Sequence, residues 1–115
     1  MYNIMSTSTT VSKILSKARS IVLKHEILSS EVRVLILTII DFKGEISWNE
    51  LKRSLEKTLG YTVNPNMLAF HLRRIINAKL VERIKVGREV KYRSRIEDEI
   101  RKEIEPLKTL LKEVI

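Results

Sequence analysis

The sequence predicts a mainly helical α+β domain, and three observations predict it. Apolar residues recur at spacings of three and four in five separate segments, the period of an amphipathic helix. Between Leu80 and Tyr92 the period drops to two around Gly87-Arg88, which is the signal of a single β-hairpin. The 115 residues are 43% hydrophobic with 3 Gly and 2 Pro, the composition of an ordered chain. That length sustains one domain around one core.

Composition also narrows the function. The formal charge is +8, which suits a polyanionic partner. Its distribution is uneven: residues 1–94 hold 17 Lys/Arg against 8 Asp/Glu, and residues 95–115 hold 5 against 6. The basic charge belongs to the body of the chain. There is no cysteine, so disulfides, thiolate metal sites and thiol nucleophiles are excluded. With only His25 and His71 as histidines, no metal site or other cofactor is expected. The longest apolar run, Val34 to Ile40, is too short to cross a membrane. The opening residues lack the basic start and apolar core of a secretory leader. A cytoplasmic, nucleoid-associated protein is expected.

Residues 1–10 are polar and Ser/Thr-rich, and predict a flexible lead ending in a helix cap at Thr9 or Thr10. Val11, Leu15, Ala18, Val22 and His25 then follow heptad spacing, with Lys13, Lys17 and Lys24 outside the seam. Val11, Leu15, Ala18 and Val22 are therefore candidate dimer contacts. Ser29-Ser30 and Glu31 open the next helix, whose predicted buried face is Val32, Leu35, Ile36 and Ile39. Gly44 ends it as a left-handed residue, and Glu45-Ile46 form a short extended piece. Ser47-Trp48-Asn49-Glu50 is a capping box, in which the Ser and Glu side chains each satisfy an amide. Leu51, Leu55 and Leu59 form the stripe of that helix, Trp48 plugs the core and Gly60 closes the end.

Asn64 caps the following helix and Pro65 suits its first position. Leu68, Leu72, Ile75 and Ile76 share one face. At 100° per residue the opposite face carries Asn66, Phe70, Arg73, Arg74 and Asn77, with Met67 at its edge. No acid occurs from Asn64 to Leu80. Amides and arginines on one helix face are the groups that read base edges and phosphates in a DNA major groove. Phe70 either touches a thymine methyl or packs against Met67 and the preceding helix. In the hairpin, Arg83, Lys85, Arg88 and Lys91 are candidate backbone contacts, with Arg88 at the tip. Arg93 adds to the same basic cluster.

The last segment, residues 95–115, repeats Ile100, Ile104, Leu107, Leu111 and Val114 at heptad spacing, with Ile96 extending the stripe. It reads as a self-associating helix, in which Pro106 either kinks the helix or starts a second one. Together with the candidate contacts of the first helix, this stripe predicts a homodimer.

The stretch FHLRRIINAKLVERIKVGREVKYRS resembles the winged helix-turn-helix transcriptional regulators, above all the ArsR-like and related small archaeal ones. The matching residues are His71-Leu72, Ile75, Ala78, Leu80-Val81 and Tyr92-Arg93, and the likeness covers roughly residues 30–94. Two departures stand out. Lys79 occupies the usual Gly position, so a non-Gly residue has to adopt a left-handed conformation. The cysteine ligands of metal-sensing members are absent. The resemblance implies a winged helix-turn-helix domain over residues 11–94, with a two-stranded wing and an extra C-terminal dimerisation helix. It also implies a homodimer placing two recognition helices in successive major grooves of double-stranded DNA.

The leading expectation is thus a sequence-specific transcriptional regulator, repressor or activator, whose small-molecule effector, if it has one, the sequence leaves open. A winged-helix protein-interaction module and a sequence-neutral architectural DNA binder are the alternatives. An enzyme is not expected, because no paired carboxylates, glycine-rich phosphate loop or Ser-His pair stands out. His71 reads as a packing or phosphate-contacting residue rather than a base.

Overall fold

The helix Glu31–Lys43 (α2) runs through the middle of the molecule. Val34, Leu35, Ile36, Leu37, Ile39 and Ile40 have no exposed surface, and Thr38 is equally buried. A helix apolar all round is one covered all round. The sequence assigned it a single buried face that included Val32, which is only half-buried. The difference arises because α2 touches all the other helices and two strands. Thr38 is accommodated by its hydroxyl, which donates to the Val34 carbonyl at 2.8 Å. Ser30 stands at the N-cap with extended backbone but makes no side-chain cap bond.

The computed structural model describes residues 2–22 and 30–115, with side chains for residues 9–19 and 30–115. The order of elements is α1 (Tyr2–Val22), α2, β1 (Glu45–Ser47), α3 (Trp48–Leu59), α4 (Pro65–Asn77), β2 (Val81–Val86), β3 (Glu89–Ser94) and α5 (Asp98–Leu111). The strands form an antiparallel sheet in the order β1-β3-β2. Among the described residues no helix is long and apolar enough to cross a membrane.

Both terminal helices differ from expectation. α1 starts at Tyr2, so no cap forms at Thr9 or Thr10. The Thr10 hydroxyl donates instead to Glu113 Oε2 at 2.9 Å. Ile14 and Ala18 are the fully buried residues of α1, while Val11 and Leu15 are half-buried. The Val22 side chain and His25 lie outside the described residues. In α5, Ile104, Leu107 and Leu111 are fully buried in the chain's own core. These three and Ala18 therefore cannot serve as a dimer surface. The heptad stripe is used within the chain, because α5 closes over α1 and α2. Only Ile100 and Val114 of its predicted contacts stay half-buried. Pro106 lies inside a continuous helix, so no second helix starts there. Pro106 and Lys102 are both exposed, so the carbonyl left without an amide partner at Lys102 meets water.

A polar latch holds α5 in place. Asp41, 5% exposed, takes Arg101 Nη2 on Oδ1 at 3.2 Å, and Lys108 Nζ on Oδ2. Burial alone would raise its pKa. Hydrogen bonds from Lys108, Ser94 and Arg101 outweigh that and hold the carboxyl below the usual carboxylate range.

The local signals around α3 and α4 hold, with one change. Ser47 Oγ accepts from the Glu50 amide at 3.2 Å. Glu50 does not complete the box; its carboxylate accepts from the Ser47 hydroxyl at 3.4 Å. Ser47 is also the last residue of β1, aligned with Lys91. Trp48 is partly buried against the core. Gly44 has a positive φ of 84°, but its ψ of −69° lies outside the left-handed helical well. Residues 60–64 join α3 to α4, and Glu56 fixes the connection by accepting from the Val63 amide at 2.8 Å and Lys52 Nζ at 3.0 Å.

Asn64 Oδ1 accepts from the amides of Asn66 at 2.7 Å and Met67 at 3.4 Å, so α4 begins where the sequence placed it. Its end is a Schellman arrangement: Leu80 N–H donates to Ile75 O and Lys79 N–H to Ile76 O. That closure puts Lys79 at φ 64°, the left-handed conformation expected at the position. A side chain there costs about 1 kcal/mol. Lys79→Gly is expected to stabilise the fold by up to about that amount, read as a higher urea midpoint with unchanged m. A lower midpoint would contradict the strain.

Candidate nucleic-acid interface

α4 buries Leu68, Leu72 and Ile75, with Ile76 half-buried, and turns its other face outward. Asn66, Phe70, Arg73, Arg74 and Asn77 are all exposed, and Met67 is half-buried against the core. Thus five of the six predicted residues share the open surface, and Met67 is mainly a packing residue. Phe70 faces solvent at 48% exposure rather than packing on α3. Its ring meets His71 edge-on, and Arg74 lies over it. Among the described residues no carboxylate forms an ion pair with Arg73 or Arg74.

The hairpin turns at Gly87-Arg88, with Val86 aligned to Glu89. φ is positive at Gly87 (65°) and not at Arg88, as in a type II′ turn. Register sorts its charges. Glu45, Glu82 and Arg93 align across the three strands and so project from one face. There Arg93 Nε donates to Glu82 Oε1 at 3.0 Å, Nη1 lies 3.5 Å from Glu45 Oε1, and Arg95 Nε lies 3.5 Å from Glu82 Oε2. Arg93 holds the Glu82 carboxyl below its ordinary range. Arg93 is therefore committed within the sheet.

Arg83 and Lys85 project from the opposite face, aligned with Tyr92 and Val90. That face enters the core at Val81 and Tyr92, yet Arg83 and Lys85 are exposed, so the hairpin extends past the body. Ile84 and Val86 share the other side of the strand. They lie opposite Val81, and Val86 is 50% exposed. Arg88 is exposed at the tip, whereas Lys91 is half-buried with Nζ 3.9 Å from Glu89 Oε2. Arg83, Lys85 and Arg88 form no ion pair among the described residues.

Three basic residues escaped the sequence reading. A cleft of 580 Å³ joins the end of α4 to β2, lined by Ile76, Lys79, Val81, Glu82, Arg83 and Arg95. Lys79 and Arg95 line it beside Arg83, with Arg95 paired to Glu82. Arg33 of α2 is 5% exposed, and burial followed by the charge of Arg74 lowers its pKa. An arginine inside an otherwise apolar helix was the available signal. His71, half-buried with Nδ1 shielded from water and without a partner, is pushed down by burial, Arg33 and Arg74. Its imidazole is neutral at pH 7.

Searches against protein-family models, characterised proteins and solved structures returned no match for this chain.

Proposed function

We propose that the chain is a sequence-specific, double-stranded-DNA-binding transcriptional regulator of winged helix-turn-helix build. In this reading α3 and α4 form the helix-turn-helix, α4 lies in the major groove, and the β2–β3 hairpin is a wing on the backbone or minor groove. The observation that carries it is the exposed α4 face: two amides and two arginines without acidic partners among the described residues, beside a hairpin on which Arg83, Lys85 and Arg88 form no ion pair. Phosphates compensate such unpaired cations, while amides contact base edges. A twofold arrangement would use the half-buried Val11, Leu15, Ile100 and Val114, and would require a near-palindromic site with half-sites one helical turn apart.

Asn66 lies in the first turn of α4, the part of a recognition helix that contacts base edges. Asparagine pairs with adenine in bidentate fashion, and such a contact discriminates by about 1–3 kcal/mol. Asn66→Ala is expected to lower affinity for the preferred site by that amount, and affinity for random DNA of equal length far less. The test is a paired titration at fixed salt. Equal losses on both duplexes would favour a sequence-neutral binder.

Arg88 at the hairpin tip is assigned to the phosphates. Arg88→Ala is expected to weaken all sequences by a similar factor and to lower the salt slope by about one ion. A changed sequence preference with an intact slope would make Arg88 a base reader.

A further inference from the structure

Phe70 is held from two sides although it is exposed. The His71 ring meets it with centroids 5.4 Å apart and planes at 72°. The Arg74 guanidinium carbon lies 5.3 Å from its ring centroid. Phe70 and Arg74 are four residues apart, so they are neighbours on one stripe of α4. A cation over a ring face is held by the ring quadrupole, which takes none of the guanidinium's five N–H donors. Among the described residues no carboxylate competes for those donors.

We propose that Phe70 and Arg74 act as one reader of a dinucleotide step, a guanine with a thymine beside it on the same strand. The proposal rests on the DNA-binding reading of α4. The arginine fork matches O6 and N7 of guanine in the major groove. An arginine in the plane of that guanine has the Phe70 ring beside it, toward the next base pair. Successive bases are about 3.4 Å apart, and the ring centre lies 5.3 Å from the guanidinium carbon. The apolar group offered there in the major groove is the thymine C5-methyl. The cation–π contact also restrains Arg74 before DNA is met, which reduces the rotamer freedom lost on binding.

The test uses the full chain and a duplex recovered by selection from a random pool. That duplex is made in three forms: unmodified, with deoxyuridine for the thymine, and with a deazaguanine lacking N7 for the guanine. Deoxyuridine is expected to weaken wild-type binding about fourfold, the value of one buried methyl. Deazaguanine is expected to weaken it about tenfold, within the range of a bidentate base contact. Phe70→Ala should bind the thymine and uridine forms equally, and Arg74→Ala the two guanine forms equally. Both side chains are exposed, and unchanged circular dichroism confirms that the variants fold. A selected site without the step, or a wild type indifferent to the methyl, overturns the proposal. A pool with no enriched sequence overturns the DNA-binding reading itself, and this proposal with it.

Discussion

Ile104→Glu is expected to unfold the chain. Ile104 has no exposed surface in α5, where it shares the core with Leu107 and Leu111. The substitution removes about 2 kcal/mol of apolar burial and places a carboxylate where solvation is lost, at several kcal/mol more. A domain of this size is stable by about 5–15 kcal/mol, so most of that stability goes. Far-UV circular dichroism should show loss of helix at 25 °C or a collapsed urea midpoint. The same change at half-buried Ile100 should cost much less. The heptad stripe read from sequence alone predicts a different outcome, a folded monomer released from a dimer. A helical, cooperatively melting Ile104→Glu monomer would return α5 to that role.

Asp41→Ala is expected to destabilise the fold by about 2 kcal/mol, because it removes the carboxylate that Arg101 and Lys108 share and leaves half-buried Lys108 with Glu105 alone. Asp41→Leu combined with Lys108→Met should recover much of the loss, since a packed apolar pair replaces both charges. The latch also sets a pH dependence. The folded-state pKa of Asp41 is depressed, so its contribution is full above the unfolded value of about 3.9 and disappears as pH falls through the folded value. His71 acts in the same direction from a higher pH. Its depressed pKa means that stability begins to fall once pH drops below about 6.5, the unfolded value. Urea midpoints at pH 7, 5 and 3 should decline in that order. The double variant should lose less than wild type between pH 5 and 3. An equal loss would mean that the latch does not titrate as described.

The features legible from sequence are those decided within a few residues. Asn64-Pro65, Ser47, Gly87-Arg88 and the left-handed Lys79 each depend on local backbone chemistry, and each stands where it was read. The outward face of α4 follows from the same local periodicity. What the sequence left open depends on partners distant along the chain. A heptad stripe looks the same whether it packs on a second molecule or on α1 and α2, so the role of Ile104, Leu107 and Leu111 was misread. α2 looked one-sided because no local pattern reveals that four other helices surround it. The hairpin charges could not be sorted until register placed Arg93 beside Glu82 and Glu45, and Arg83 on the other face.

If α4 reads DNA sequence, the chain has one preferred duplex site. Repeated selection of duplexes from a random pool, at fixed near-physiological salt, tests it most directly. The wild-type chain is expected to enrich one defined site, and Asn66→Ala with Arg74→Ala to lose that enrichment, while the weak, salt-sensitive binding to unselected DNA persists. A pool that stays random through successive rounds, whether the protein coats every duplex or retains none, would contradict it.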